Sequence, residues 1–197
     1  YGNNKKTPFS ATDNVDHPIS PYAATKKSGE LLCYTYHYLY NMDIACLRFF
    51  TVYGPRGRPD MAPFKFTKLI DQGKKIKRFG DGSTKRDYTY VSDAVNAYDL
   101  LLKHNDPITE PMNIGTGKEV SIIDLANKII EICGKKGSME PVNVDPRIGE
   151  VQRLIAGANL AKDVLGWEPW YSLEKGLEEY IQWYRKFGIE GRIKVDQ

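Results

Sequence analysis

Tyr22 and Lys26 stand four residues apart, about one turn of a helix. Ser20 and Pro21 precede them, a hydroxyl suited to capping and a proline suited to a first turn, so the pair falls where a helix begins. Residues at that spacing share one face, which lets a phenol and an ammonium lie side by side. A cation beside a phenol favours the phenolate, the form that accepts a proton, so the chemistry on offer is general acid–base catalysis. The spacing alone is weak, because Tyr and Lys meet four apart on many ordinary surface helices. His17, His37 and His104 lie far apart without metal-ligand spacing and read as surface or packing residues.

The elements that must position this pair can be read from hydrophobic pattern. Residues 1–21 are polar and carry Pro8, Pro18 and Pro21, which predicts a long loop lying over something else. Residues 22–40 place Ala23, Leu31, Leu32, Tyr34 and Tyr38 at helical spacing. An almost unbroken apolar run over 44–50 then predicts a strand buried on both faces, as in a parallel sheet. Helices are expected over 63–72, 93–102, 160–165 and 172–185, and another opening after Ser121, with short strands at 88–91 and 112–114. Asn159 is the expected cap of the 160–165 helix, and Trp167, Trp170 and Trp183 read as core residues. The run Lys74, Lys75, Ile76, Lys77, Arg78 reads as a solvated loop. Glycine pairs occur at Gly80/Gly82 and Gly115/Gly117, but neither has the third glycine of a dinucleotide phosphate loop.

At 197 residues the chain is long enough to bury a sizeable core. Its net charge of +3 is too small, and its basic residues too dispersed among acids, to call for a nucleic-acid partner. Cys33, Cys46 and Cys133 are odd in number and sit in apolar or helical surroundings, which predicts free thiols and a cytoplasmic setting. No stretch approaches the ~20 apolar residues of a membrane span.

Several segments, in order and register, carry a resemblance. They are Ser20 to Lys26 (Ser-Pro-Tyr-Ala-Ala-Thr-Lys), the run from Leu47 to Met61 through Arg48, Phe49, Thr51, Gly54 and Arg58, the run from Lys85 to Asp93, then Asn113-Ile114-Gly115 and Leu165-Gly166-Trp167. Together they resemble the extended short-chain dehydrogenases/reductases that act on nucleotide sugars, over essentially the whole chain. The resemblance implies an α/β fold: the later part of a Rossmann-like parallel sheet plus a smaller mixed α/β substrate-binding domain. Residues 1–55 would close the dinucleotide-binding domain and 56–197 would mainly bind the nucleotide sugar, with about 86–104 returning to the Rossmann part.

It also implies chemistry. Tyr22 would take the proton of the sugar 4-hydroxyl while hydride passes to NAD, giving a 4-keto sugar. Lys26 would support Tyr22 and hold the nicotinamide ribose, and Tyr22, Lys26 and Phe49 would form this chain's share of the NAD site. Arg86 and Arg147 match positions that grip the nucleotide diphosphate, a task suited to forked guanidinium groups. Glu150 matches an acid near the nucleotide ribose, and Phe64, Lys65 and Phe66 the segment that meets the base. Thr51 and Arg58 are similar to UDP-glucuronate epimerases, where a hydroxyl and a guanidinium would receive the sugar carboxylate. An Arg58 left without that carboxylate would disfavour neutral sugars.

The expectation is therefore the carboxyl-terminal portion of a UDP-glucuronate 4-epimerase, inactive as the isolated chain because the glycine motif and an active-site Ser or Thr would lie upstream of Tyr1. Related decarboxylases and 4,6-dehydratases share the Tyr/Lys pair, and a non-catalytic fragment binding UDP-sugar or a partner chain is the alternative of another class. The helix over 22–40 is the expected homodimer surface, with no nucleic-acid or membrane partner.

Overall fold

The computed structural model describes residues 1–145 and 151–188. Helix α1 (Pro21–Tyr40) starts as its sequence requires: Ser20 Oγ accepts from the Ala23 amide at 3.1 Å, and Pro21 fills the first turn. Asn41 closes it in the left-handed conformation, at φ 50°.

The expected strand over 44–50 is a shorter strand followed by a change of partner. β1 (Leu47–Phe49) runs parallel to β6 (Met112–Ile114), whereas β2 (Thr51–Tyr53) runs parallel to β5 (Tyr88–Tyr90). Phe50 is the change-over: its amide still donates to Ile114, and the next amide, of Thr51, donates to Asp87 at 3.0 Å. One short stretch of chain thus links two sheets.

The rest of the chain follows in β/α alternation. α2 (Ala62–Asp71) leads to β3 (Lys77–Phe79), which runs parallel to β8 (Val142–Val144). β4 (Lys85–Arg86) lies between antiparallel β7 (Val120–Ser121) and parallel β9 (Arg153–Leu154). α3 (Val91–Lys103), α4 (Ile122–Ile132), α5 (Asn159–Leu165) and α6 (Leu173–Phe187) supply the covering layers. Ser121 and Ser172 cap α4 and α6, accepting from Asp124 and Lys175 amides. Asn159 does not cap α5: that position belongs to Ala158, without a side-chain bond, and Asn159 is the first helical residue.

Two buried clusters result. One gathers α2, α4 and α6 on β2 and β5, with Phe64, Ile70, Leu125, Ile129, Leu177 and Tyr180 at its centre. The other joins α3 and α5 to β1 and β6 through Ala97, Met112, Ile114, Ala161 and Trp167. So β6 and α5, as well as α3, pack with β1. Trp167 is 1% exposed and donates its Nε1 hydrogen to the Asp93 carbonyl at 2.9 Å. Trp170 departs from its expected core position and is 74% exposed.

Buried carboxylates join the loops between these elements. Asp87, fully buried, accepts from the Thr116 amide and hydroxyl through Oδ1, at 2.8 and 2.7 Å, and from the Gly117 and Ala156 amides through Oδ2, at 2.8 and 3.1 Å. Asp93 accepts from the Trp170 and Tyr171 amides at 2.9 and 3.2 Å. The opening loop lies over this junction. Phe9 is buried, bridges to Ala156 and stacks on Tyr1 with ring centroids 4.5 Å apart.

Candidate active site

The first turn of α1 leaves Tyr22 71% exposed, with Lys26 exposed beside it. The Lys26 ammonium lies 5.4 Å from the Tyr22 ring centroid, so the turn spacing does set phenol and cation side by side. None of the residues of α1 is buried, and its placement leans on polar ties. Glu30 receives a two-pronged bond from Arg48 of β1, at 2.6 and 2.8 Å, and the same guanidinium donates to Tyr1 Oη and the Ala11 carbonyl, both at 3.1 Å. Hydrogen bonding to Glu30, outweighing burial, holds the Arg48 proton more firmly than in water.

The fold also forms a cleft of about 490 Å³. Thr51 of β2, Lys65 and Phe66 of α2, and Arg86 of β4 all line it, so the fold brings together four residues singled out from sequence. Lys75, Lys77, Arg78 and Phe79 line it as well. The basic run over 74–78 is therefore not simply a solvated loop: Ile76 is fully buried, which pins the run against the core while its cations border the cleft. Among the described residues, five cationic side chains, those of Lys65, Lys75, Lys77, Arg78 and Arg86, thus share the lining with a single carboxylate, Asp60. Such a surface favours a polyanion. The apolar lining from Met61, Leu69, Phe79 and Tyr88 suits a flat ring.

Asp60 pairs within its own turn. It accepts a forked bond from Arg58, with Arg58 Nε to Asp60 Oδ1 at 3.0 Å and Nη2 to Oδ2 as the second prong. Asp60 beside Arg58 raises the guanidinium above its ordinary range. The Asp60 carboxyl is lowered for the reciprocal reason, first by the Arg58 bond and to a smaller extent by the charge of Lys65. Arg58 is thus not left without a carboxylate when no acidic sugar is present, contrary to the expectation that it would stand unpaired.

Two further residues sit elsewhere. Phe64 is 3% exposed and meets Tyr184 edge-on in the core, at 5.3 Å between centroids, so it contributes packing and not cleft lining. Phe49 packs on Tyr98 of α3, at 5.2 Å, against the second cluster. Arg147 and Glu150 lie outside the described residues.

Comparisons with known proteins add an independent line. A family model described as GDP-mannose 4,6 dehydratase matches residues 1–180. A UDP-glucuronate 4-epimerase of Thermodesulfobacterium geofontis is 45% identical over 181 residues, covering 91% of this chain and 54% of that protein. The crystal structure of UDP-glucuronic acid 4-epimerase from Bacillus cereus, in complex with UDP-glucuronic acid and NAD, superposes with a TM-score of 0.84 at 35% identity, covering 93% of this chain and 58% of that one. The structure of an epimerase from Methanothermobacter thermautotrophicus gives a TM-score of 0.90 at 30% identity, over 98% of this chain and 58% of that one. The chain spans about half the length of the curated relatives it matches.

Proposed function

The chain belongs to the GDP-mannose 4,6-dehydratase family, and from that premise we propose that it is the carboxyl-terminal portion of an NAD-dependent epimerase interconverting UDP-glucuronate and UDP-galacturonate. One observation carries the reading: the fold that leaves the Tyr22/Lys26 pair exposed at the start of a helix also gathers Thr51, Lys65, Phe66 and Arg86 into one cleft rich in cations.

The exposure of Tyr22 and Lys26 fits a nicotinamide ribose, because phenol and ammonium are both open to a ligand on the same helical face. NAD, when bound, would accept hydride from C4 of the sugar and return it. Tyr22 then takes the proton of the 4-hydroxyl as the carbonyl forms, and gives it back after the keto sugar has turned its other face. Lys26, on the same face, would donate to ribose hydroxyls. Phe49, packed on Tyr98, has no part assigned in this scheme.

On the substrate side, Arg86 and the neighbouring lysines would hold the diphosphate, and Phe66 with Lys65 would meet the base. Thr51 and Arg58 would address the C5 carboxylate. Arg147 and Glu150 keep the diphosphate and ribose roles that the family resemblance implies.

We read α1 as the surface on which a second copy pairs. Leu31, Tyr34 and Tyr38, each more than half exposed, follow at spacings of three and four residues and so share one side of the helix, of the kind that packs in bundles. No helix among the described residues is long and apolar enough to cross a membrane. The free thiols of Cys33, Cys46 and Cys133 support a reducing, cytoplasmic setting.

The test is to incubate the 197-residue chain and an upstream-extended version with UDP-glucuronate and NAD, and to follow UDP-galacturonate by chromatography. Product from the extended protein alone is the expected result. Product from neither overturns the function, and product from the short chain overturns the assignment of essential groups upstream.

A further inference from the structure

We propose that Asp60 is a specificity-determining residue, an internal carboxylate that occupies the Arg58 fork in the free protein and gives it up to the carboxylate of an acidic sugar. The inference rests on the uronate reading above and deepens it.

Arg58 already makes the two parallel bonds by which a guanidinium recognises a carboxylate, and Asp60 fills both positions. A sugar carboxylate can use that fork only by displacing Asp60. Three features make the exchange inexpensive. Both side chains are open to water, at 74% and 53% exposure, and exposed pairs of this kind are weak. Asp60 lines the cleft, so it lies on the ligand's side of the pair. Once released it keeps favourable surroundings, being one residue before Met61, which caps α2 without a side-chain bond, and within the influence of Lys65.

The consequence concerns discrimination. With a neutral sugar in the cleft, Asp60 stays on Arg58 and the water-exposed pair is left undisturbed. With an acidic sugar, one carboxylate replaces another, and the gain is only the difference between the two pairings. Asp60 therefore softens the preference for uronates and allows the product to leave. Replacing its charge should sharpen that preference.

The experiment uses the full-length, NAD-loaded enzyme with UDP-glucuronate and UDP-glucose as probes, comparing the ratio of their kcat/KM values. For Asp60→Asn, KM for UDP-glucuronate should fall and the ratio should rise by about threefold, within the range set by a weak exposed pair. Asp60→Glu restores the internal carboxylate and should return the ratio towards that of the parent. A ratio that is unchanged or lower in Asp60→Asn overturns the proposal. Arg58→Ala separates the two levels of argument. If it erases the uronate preference while Asp60→Asn changes nothing, only the displacement idea fails. If it leaves the preference intact, the uronate reading fails too.

Discussion

Asp87 is the residue whose loss should cost the fold most for the smallest change in shape. Substitution by Asn keeps the volume and replaces one carboxylate oxygen with a donor. Every group that Asp87 meets is itself a donor: three backbone amides and the Thr116 hydroxyl. If the new amide nitrogen faces Gly117 and Ala156, two backbone donors lose their acceptor. If it faces Thr116, the hydroxyl can rotate to accept, and only the Thr116 amide is orphaned, which makes this the cheaper arrangement. An orphaned buried donor costs about 1–3 kcal/mol, and the surviving bonds fall from charged to neutral strength, at roughly 1 kcal/mol each. The sum is about 3–5 kcal/mol, a large part of the ~5–15 kcal/mol that holds a domain together. Urea unfolding followed by tryptophan fluorescence suits the measurement, because Trp167 is 1% exposed and packs in the cluster that β6 joins. With a slope of about 2–3 kcal/mol per molar, the midpoint should fall by about 1–2 M. A fall smaller than about 0.5 M would refute the view that Asp87 fastens these loops together.

Other perturbations give equally definite outcomes. Gly176→Ala gains helix propensity of up to ~1 kcal/mol in α6, but the added Cβ would stand 2.2 Å from the Tyr53 hydroxyl and 2.9 Å from Tyr90, so net destabilisation is expected in the same unfolding assay. Burial, and after it the neighbouring Cys33 thiol, pushes Cys46 up to about 11 from its ordinary value of 9.0. A thiol raised on folding stabilises the protein fully below its unfolded value and loses that contribution as pH climbs through the folded one. Stability should therefore decline between pH 9 and 11, and iodoacetamide labelling of Cys46 should keep accelerating to pH 11; a labelling plateau below pH 9 would contradict this.

The residues legible from sequence were those whose signals are local. Ser20 and Ser121 mark helix starts through bonds to amides three residues on, and both appear as expected, whereas Ser172, expected as the first residue of its helix, caps it in the same way. The Tyr22/Lys26 pair is likewise a one-turn relation. The split of the apolar run at Phe50 was not legible, because it depends on partners at Ile114 and Asp87 that only the fold brings near. Strands β4, β7 and β9 are two residues long, too short to show a period of two. The cleft cations Lys75, Lys77 and Arg78 looked like a solvated run, and the one available signal was Ile76, an apolar residue alone among five positions that turns out to be wholly buried. The pairing of Arg58 with Asp60 is a two-residue spacing across a proline, but nothing in the residue types tells an internal partner from an external carboxylate.

The central claim is that Tyr22 moves the proton of the sugar 4-hydroxyl. It is tested most directly by following UDP-glucuronate and UDP-galacturonate by proton NMR with the full-length NAD-loaded enzyme and its Tyr22→Phe variant. The account predicts that the parent interconverts the two, and that the variant, which keeps the ring 5.4 Å from Lys26 but has no exchangeable proton, slows by about 10²–10⁴-fold. A Tyr22→Phe enzyme within about tenfold of the parent rate would contradict it.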